Sequence, residues 1–354
     1  FPFVQPYFGL GNSLQTAQAS GGGAVGGWVE LGRTTLGSVN SDIDVTSLSD
    51  KRYYMILMNG IGYSGTANTH LRFNSDSGTN YSYRLSLNGT GDSPGTSSNI
   101  ATFAHGNGST NNFGVGYVSN LSSKEKLVLS HNIRQSTAGS GTAPIRSESV
   151  SKWANTSSAI SGINATTASA ATHGTGSECV VLGWDPADTH TTNFWEELAS
   201  ANATGSELSS GTFTAKKYLW VQYYIKPTGG TVNGKIHLND DTGTNYADRI
   251  SYEGGEDTHT SLGNWFGYAR GTGGTTDSAN LFCNMFIINN SANEKLAIQH
   301  MVDTTTGAST APKRIEWANK WSNTSSQITK IDIDRDGGTG TYDSTSIIKV
   351  WGAN

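Results

Sequence analysis

The stretch KWANTSS at residues 152–158 returns as KWSNTSS at residues 320–326, in the second half of a chain of 354 residues. Other phrases recur at nearly the same spacing. NSDSGTNYSYR at 74–84 matches NDDTGTNYADR at 239–249, and KEKLVLSH at 124–131 matches NEKLAIQH at 293–300. A series of phrases repeated at constant spacing indicates a duplicated domain, and each copy of about 155 residues is long enough to bury its own core.

The repeats divide the chain into four parts. The first copy takes residues 28–184 and the second takes residues 195–354, with a short linker at 185–194 between them. Residues 1–27 precede the repeats and combine an aromatic tip with a Gly-rich tether. Because the linker is short, we expect the two domains to lie close together rather than to swing freely.

The composition indicates the fold class. Gly, Ser, Thr and Asn dominate, only 14% of residues are charged, and no long stretch has helical spacing. Short runs rich in β-branched and aromatic residues, such as RYYMILMN at 52–59, alternate with turn clusters. About eight runs per copy favour a jelly roll over an immunoglobulin sandwich. The predicted fold is all-β, with two tandem jelly-roll-like antiparallel β-sandwich domains and an N-terminal arm.

Charge and hydropathy exclude two classes of partner. The net charge is −5, and Lys and Arg are scattered, so the chain has no electrostatic footprint for nucleic acid. The longest apolar stretch, YYMILM at 53–58, is far shorter than the roughly 18 residues that cross a bilayer. We therefore expect neither nucleic-acid binding nor membrane insertion. Cys179 and Cys283 lie at non-equivalent points of the copies, which excludes a repeated disulfide or metal site.

The first eight residues carry more apolar area than a frayed terminus needs. Their aromatic side chains are those of Phe1, Phe3, Tyr7 and Phe8. The Gly-rich stretch 21–27 would let this tip reach away from its own domain. We expect these four aromatic residues to form an interface with another subunit or another protein.

The repeated unit Asn-x-Asp-x-Gly-Thr-Asn-Tyr-x-x-Arg surrounds Asp76 in copy one and Asp241 in copy two. Its oxygen atoms could bind calcium, or the unit could form an Asx-type turn. In the turn, Asn and Asp side chains bond the backbone ahead, the glycine takes a positive φ, and Tyr and Arg pack along the next strand. Turn chemistry explains every polar residue without a metal, so we predict a turn. Trp153 and Trp321 recur in one frame, and each is predicted to be buried in its own sandwich.

Two further polar features are repeated. His131 and His300 each follow Glu-Lys-Leu on a strand face that also carries apolar residues. No repeated Ser, Cys or Asp partner accompanies them, so we expect hydrogen-bonded structural histidines at the sandwich edge. Each copy also has an Arg-x-Glu pair, expected to be a surface charge pair, namely Arg146 with Glu148 and Arg314 with Glu316.

A specialised site should appear where the copies differ, and DIDRDGGTGTYD at 332–343 occurs only in copy two. It fits the Asp-x-Asp-x-Asp-Gly spacing of a calcium loop. Position twelve is Asp rather than the bidentate Glu, and the flanks resemble strands, so an acidic hairpin tip explains the stretch equally well. If calcium binds here, its ligands are Asp332, Asp334, Asp336 and Asp343.

The second difference is LGNWFGYAR at 262–270, where copy one has the less aromatic NIATFAHGN. Trp265 and Tyr268 could stack on a sugar. Alternating aromatic residues in a sandwich are more often part of the core, and we favour that reading.

The combined motifs resemble a known family. The LGRTTL opening at 31–36, the unit around Asp76, the Glu-Lys-Leu strand and the KW(A/S)NTSS phrase are similar to those of largely uncharacterised virion structural proteins of marine tailed viruses. The resemblance covers essentially the whole chain. It implies a β-sandwich component on the particle exterior, such as a capsid decoration, spike or tail-associated protein. It supplies no catalytic residues. The implied partners are further copies of the chain and other virion proteins.

Three functions follow as hypotheses. The first is a non-enzymatic structural protein of a virus particle, which agrees with the lack of a phosphate loop, nucleophile elbow or metalloprotease motif. The second is an adhesin or carbohydrate-binding module that contacts a host-surface glycan through Trp265 and Tyr268. The third, a polysaccharide-cleaving enzyme, requires two carboxylates about 5–10 Å apart in a cleft, and no such pair is evident from the sequence.

Overall fold

The computed structural model describes residues 27–65, 68–104, 110–167, 170–189, 192–266, 279–304, 308–309 and 311–354. Within these ranges the chain contains strands, turns and bends but no helix, so the prediction of an all-β fold is confirmed. No helix in the described ranges has the length and hydropathy needed to cross a bilayer. The predicted contacts of Phe1, Phe3, Tyr7, Phe8 and Tyr268 lie outside the described residues.

The first copy is a sandwich of two antiparallel sheets with twelve strands. The strands are β1 Val29–Thr35, β2 Asp42–Thr46, β3 Tyr53–Gly60, β4 Thr69–Phe73, β5 Tyr81–Leu87, β6 Ser93–Ser98, β7 Ala101–Ala104, β8 Asn112–Ser119, β9 Lys126–Arg134, β10 Ile145–Trp153, β11 Gly162–Thr166 and β12 Glu178–Trp184. The larger sheet has the order β1-β12-β3-β8-β9-β10-β5-β6, and the smaller sheet has the order β2-β11-β4-β7.

The second copy repeats this arrangement. Its strands are β13 Glu196–Asn202, β14 Glu207–Ser209, β15 Tyr218–Ile225, β16 Pro227–Thr228, β17 Asn233–Leu238, β18 Tyr246–Tyr252, β19 Gly255–Leu262, β20 Trp265–Phe266, β21 Asn280–Ile288, β22 Lys295–Thr304, β23 Lys313–Trp321, β24 Ile331–Gly337, β25 Thr341–Tyr342 and β26 Ile347–Ala353. The larger sheet is β13-β26-β15-β21-β22-β23-β18-β19 and the smaller is β14-β24-β17-β20, which match copy one strand for strand. β16 and β25 form a separate two-stranded sheet. The sandwich prediction holds, although each copy has more strands than the eight expected.

Each sandwich closes over its own apolar core. In copy one, Tyr54, Ile56 and Met58 alternate along β3 and pack towards the smaller sheet. The equivalent strand of copy two, β15, contributes Leu219, Val221 and other alternate residues to a separate core. Alternation therefore assigns one face of each central strand to the core of its own copy.

The opposite face of the central strands is also buried. Met55 and Leu57 of β3 belong to a third core, which includes Trp220, Phe286 and Trp351 of copy two. A strand that is buried on both faces reads as a continuous apolar run, which explains the sequence YYMILM. The larger sheets of the two copies therefore pack against each other, and the prediction that the domains lie close together is confirmed.

The repeated phrases meet in space within each copy. Trp153 is fully buried, and its Nε1 donates a hydrogen bond of 2.7 Å to Oδ2 of Asp76. The same contact recurs at 2.7 Å between Trp321 and Asp241. The prediction that the two tryptophans are buried as a matched pair is confirmed.

The aspartate also organises the turn that carries it. The backbone N–H of Gly78 donates to Oδ1 of Asp76 at 2.8 Å, and the side chain of Asn80 donates to Oδ2 at 2.9 Å. We expected the glycine to have a positive φ, but Asn74 and Ser75 have it instead. The glycine is favoured for space, because a Cβ there would lie 2.9 Å from the Asn80 amide. The turn reading of this unit is therefore correct, with that one change.

The Glu-Lys-Leu phrase joins the same cluster. Lys126 is buried, and its ammonium group donates to the carbonyl oxygen of Asn155 at 2.9 Å and lies 5.4 Å from the Trp153 ring centre. In copy two, the ammonium group of Lys295 donates to the carbonyl oxygen of Asn323 at 2.8 Å. Burial lowers the pKa of Lys295 to about 8. Three repeated phrases thus form one structural unit in each sandwich.

Candidate functional site

The most unusual polar cluster lies between the two copies. The rings of His131 and His300 are 4.3 Å apart between centroids, at an interplanar angle of 70°. They belong to β9 and β22, each the fifth of eight strands in its sheet. The histidines are therefore central in the sheets, and the expectation that they lie at sandwich edges is wrong, because the sheet face next to them is covered by the other copy.

Each histidine has a glutamate opposite it on the neighbouring strand. His131 pairs in register with Glu148 of β10, and His300 pairs with Glu316 of β23. Because residues directly opposite on an antiparallel pair are neighbours on one face, each glutamate faces the junction between the copies beside its histidine. The four side chains come from equivalent positions in the repeat.

Two arginines balance these carboxylates. Arg146 lies 3.0 Å from Glu316 of the other copy and 3.7 Å from Glu148 of its own strand, and its side chain is only 7% exposed. Arg314 is 3.7 Å from Glu316 and is mostly exposed. The expectation of surface charge pairs is therefore wrong for Arg146, which forms a buried ion pair that links the copies.

Burial controls the protonation of this cluster. Burial raises the pKa of Glu148 to about 7; the attraction of Arg146 opposes the rise and the nearby Glu316 carboxylate adds to it. Burial also lowers the pKa of His131. The pKa of His300 falls well below its usual value, mainly because of burial; repulsion by a proton on His131 and by the Arg146 and Arg314 guanidinium groups lowers it further. Both imidazoles are therefore neutral near pH 7.

Two atoms of the cluster are buried without a hydrogen-bond partner. They are Nδ1 of His131 and Oε1 of Glu148. A cleft of about 220 Å³ opens beside them, and both residues line it together with Leu129 and Val150. The cluster thus combines unsatisfied ligand atoms with a route to solvent.

One atom each from His131, Glu148 and His300 forms a group in which all atoms lie within 4.8 Å of one another. In the described part of the chain, no other three His, Cys, Asp or Glu residues come together in this way. The sequence signal for this site was the repetition of His131 and of the Arg-x-Glu pair. The sequence does not show that the two sheets face each other, and the site depends on that packing.

The predicted calcium ligands do not converge. Asp332, Asp334 and Asp336 alternate along β24, an extended strand in which residues two apart are separated by about 6.5 Å. They are already engaged by Ser209, His237 and Lys235, while Asp343 accepts from Lys226 at 3.3 Å. The calcium reading is therefore not supported, because a calcium loop must curl round the ion and a strand cannot.

The candidate sugar contact is only partly described. Trp265 is fully buried, its Nε1 donates to the carbonyl oxygen of Lys320 at 3.0 Å, and its ring meets Tyr246 edge-on at 6.0 Å. Its indole is a core group and offers no stacking surface, so the core reading of this residue is the correct one. Tyr268 lies outside the described residues.

The thiols offer no nucleophile. Cys179 and Cys283 are both free and fully buried. Burial raises the pKa of Cys179 to about 12 and also raises that of Cys283. A reactive cysteine needs an exposed, low-pKa thiolate, so neither residue has the environment of a catalytic group.

A second polar contact between the copies breaks the symmetry of the repeat. Lys320 is fully buried, and its ammonium group donates to the carbonyl oxygens of Gln135 at 3.1 Å and Thr137 at 2.8 Å. The equivalent lysine, Lys152, has a side chain that is 44% exposed and pairs with Glu125. Backbone carbonyl groups of copy one thus accept hydrogen bonds from Lys320 of copy two. Lys152 of copy one makes no equivalent contact with copy two.

Comparison with known proteins gives no family. No protein-family model matches the sequence, and no curated protein matches it. Among solved structures, domains LG4-5 of the mouse laminin alpha1 chain are 10% identical, with 91% of this chain and 94% of that chain covered and a TM-score of 0.19. The outer membrane protein OprG from Pseudomonas aeruginosa is 7% identical, with 86% and 99% covered and a TM-score of 0.10. Similarities this low carry no argument about function.

Proposed function

We propose that this chain is a non-enzymatic structural component on the exterior of a virus particle, such as a capsid decoration, spike or tail-associated protein. The proposal takes its particle context from the resemblance of the repeated motifs to those of virion structural proteins. Its physical support is that the two sandwiches form one block, held together by a shared apolar core and by buried polar contacts.

The shared core is the observation that carries the proposal. Tandem domains that act independently are joined by exposed linkers and small polar contacts, whereas a large apolar interface fixes their relative orientation. Here Leu57 and Trp220 are among the residues that contribute to one continuous core between the copies. The Arg146–Glu316 ion pair and the buried Lys320 add directional contacts. A block of this kind suits a load-bearing or spacing role.

The asymmetry of the interface supports assembly with neighbours. Phe113 is 1% exposed in copy one, whereas its equivalent in copy two, Phe282, is 43% exposed. Leu127 is 56% exposed in copy one, whereas its equivalent, Leu296, is 1% exposed. Each copy therefore leaves open part of the surface that the other copy uses for packing. Exposed apolar groups on neighbouring strands are typical of protein contact sites, and a neighbouring subunit of the same chain is the partner that we assign.

The strip on copy one provides a mutational test. It contains Leu127, Leu129 and Val150, of which Leu129 and Val150 lie opposite each other on β9 and β10. The double variant Leu127→Ser, Leu129→Ser should fold normally, because both side chains are already exposed, but it should lower incorporation into particles at least about tenfold. Val39→Ser is the matched control, since Val39 is also an exposed apolar residue but lies outside the strip.

Incorporation would be measured by quantitative mass spectrometry of particles purified from cells that carry either variant as the sole source of the chain. Equal incorporation of the double variant and the control would contradict the role of the strip. Absence of the parent chain from purified particles, combined with binding to a glycan array, would replace the proposal with a host-attachment module.

A further inference from the structure

We infer that His131, His300 and Glu148 form a binding site for one divalent transition-metal ion of the zinc type at the junction of the two copies. Two neutral imidazoles and one carboxylate are a ligand set that zinc accepts, with a fourth position left for water. The site would belong to neither sandwich alone, because β9 and β10 supply two ligands and β22 supplies the third.

The spacing of the ligand atoms fits an ion after a small adjustment. The three atoms lie within 4.8 Å of one another. In a tetrahedral zinc site with bonds of about 2.0–2.1 Å, neighbouring ligand atoms are about 3.3 Å apart. Rotation of the side chains can close a difference of roughly 1.5 Å, and no movement of a strand is required.

The unsatisfied atoms are the second, independent observation. Nδ1 of His131 and Oε1 of Glu148 are buried and have no hydrogen-bond partner. Buried polar atoms are nearly always satisfied in native proteins, so a lone-pair donor without a partner requires a reason. Oε1 of Glu148 has Nε of Arg146 at 3.7 Å, beyond hydrogen-bond distance. A metal ion bound by Nδ1 of His131 and Oε1 of Glu148 would satisfy both atoms.

The charges that surround the site allow a cation. Arg146 is already paired with Glu316 at 3.0 Å, and Arg314 also lies beside Glu316 and is mostly exposed. At the cleft, Arg84 lies 3.6 Å from Asp92. Arg146 Nε is 3.7 Å from Oε1 of Glu148, and Arg314 also acts on Glu148 and His300, so both cations oppose binding. Both guanidinium groups are also held by Glu316, which leaves the Glu148 carboxylate able to meet the metal.

The cleft provides access and the remaining ligand. It is lined by His131 and Glu148 and has a volume of about 220 Å³, which is ample for water molecules. A metal can therefore enter from the side of copy one and keep a bound water. Because the ion would hold groups from both copies, its binding should strengthen their association.

The test uses the full chain without a histidine tag, freed of metal by chelation, and titrated with zinc chloride by calorimetry. We expect one ion per chain and a zinc-dependent rise in the melting temperature. His131→Gln, His300→Gln and Glu148→Gln should each weaken binding by about 100-fold, since a lost ligand costs at least as much as a lost outer-shell partner. His237→Gln is the matched control, because His237 pairs with Asp334 on another surface.

Replacing zinc with cobalt gives a visible absorption that depends on the metal ligands and not on folding alone. The parent chain should show the intense visible absorption of four-coordinate cobalt, and Glu148→Gln, which keeps the size of the side chain, should lose it while its circular dichroism stays unchanged. Either of two results would overturn the inference. One is no zinc-dependent heat or melting shift in the parent, and the other is parent-like affinity in the folded Glu148→Gln variant.

Discussion

The contact between Trp153 and Asp76 is the clearest quantitative consequence of the repeat. Replacing Trp153 with Phe keeps a buried aromatic ring beside Tyr81, whose ring centroid is 6.4 Å away, but removes the Nε1 donor. Asp76 keeps its bonds from Gly78 and Asn80 and loses the one from the buried side of the turn.

The expected cost follows from these contacts. A hydrogen bond to a charged group contributes about 1.5–3 kcal/mol, and the smaller ring adds a slight packing loss. We therefore expect Trp153→Phe to lower the free energy of unfolding by about 2–3 kcal/mol. Trp153→Ala also loses the buried ring and should cost about 3–5 kcal/mol.

The assay is urea denaturation followed by far-UV circular dichroism, with the free energy taken from the midpoint at constant slope. Trp321→Phe is the matched variant, because its Nε1 donates to Asp241 at the same distance of 2.7 Å. The two Phe variants should agree within about 0.5 kcal/mol, because the hydrogen bonds that they remove have the same donor, acceptor and distance.

The dependence on pH provides an internal check. Burial on its own raises the pKa of Asp76, but hydrogen bonds from Trp153, Asn80 and Gly78 outweigh it and the pKa is lowered. A depressed pKa stabilises the fold above the unfolded value of about 3.9, and this contribution is lost as the pH falls through the folded value. The difference between parent and Trp153→Phe should therefore shrink below about pH 4. A cost under about 0.5 kcal/mol at neutral pH, or a difference that grows in acid, would refute the reasoning.

The remaining predictions concern the junction, the thiols, calcium and the arm. Leu57→Ser places a hydroxyl in the core between the copies and should split a single thermal transition, followed by calorimetry, into two, whereas one unchanged transition would count against a shared core. Cys179 and Cys283 should react with a thiol reagent only after denaturant is added, and rapid labelling of the native chain would contradict their burial. Calcium at millimolar concentration should leave the melting temperature unchanged, since the candidate aspartates already have partners. Deleting residues 1–20 should leave both sandwiches folded but abolish assembly, as measured by light scattering, and assembly by the truncated chain would remove the anchoring role.

Much of the fold could be predicted from the sequence because its signals are local. The Asp76 turn and the buried Trp153 follow from turn residues and from a phrase that recurs in one frame. The YYMILM run is apolar at every position, which indicates a strand that is buried on both faces. The other copy covers the second of these faces.

The candidate site could not be predicted in the same way because it depends on how two sheets face each other. In the sequence, His131 has the pattern of a strand-face residue, and Arg146 has the pattern of one half of a surface charge pair. Both become buried only because copy two packs against them. The Asp332 stretch shows the opposite error. Its spacing matches a calcium loop, but hydrogen bonding along β24 keeps it extended.

Quantitative mass spectrometry of virus particles purified from the source of this chain tests the proposed structural role most directly. The proposed role predicts that the chain is present in many copies per particle, at a fixed ratio to the major structural protein, and is removed only under conditions that dissociate the particle. Absence of the chain from intact purified particles, with the protein found free in the lysate, would contradict it.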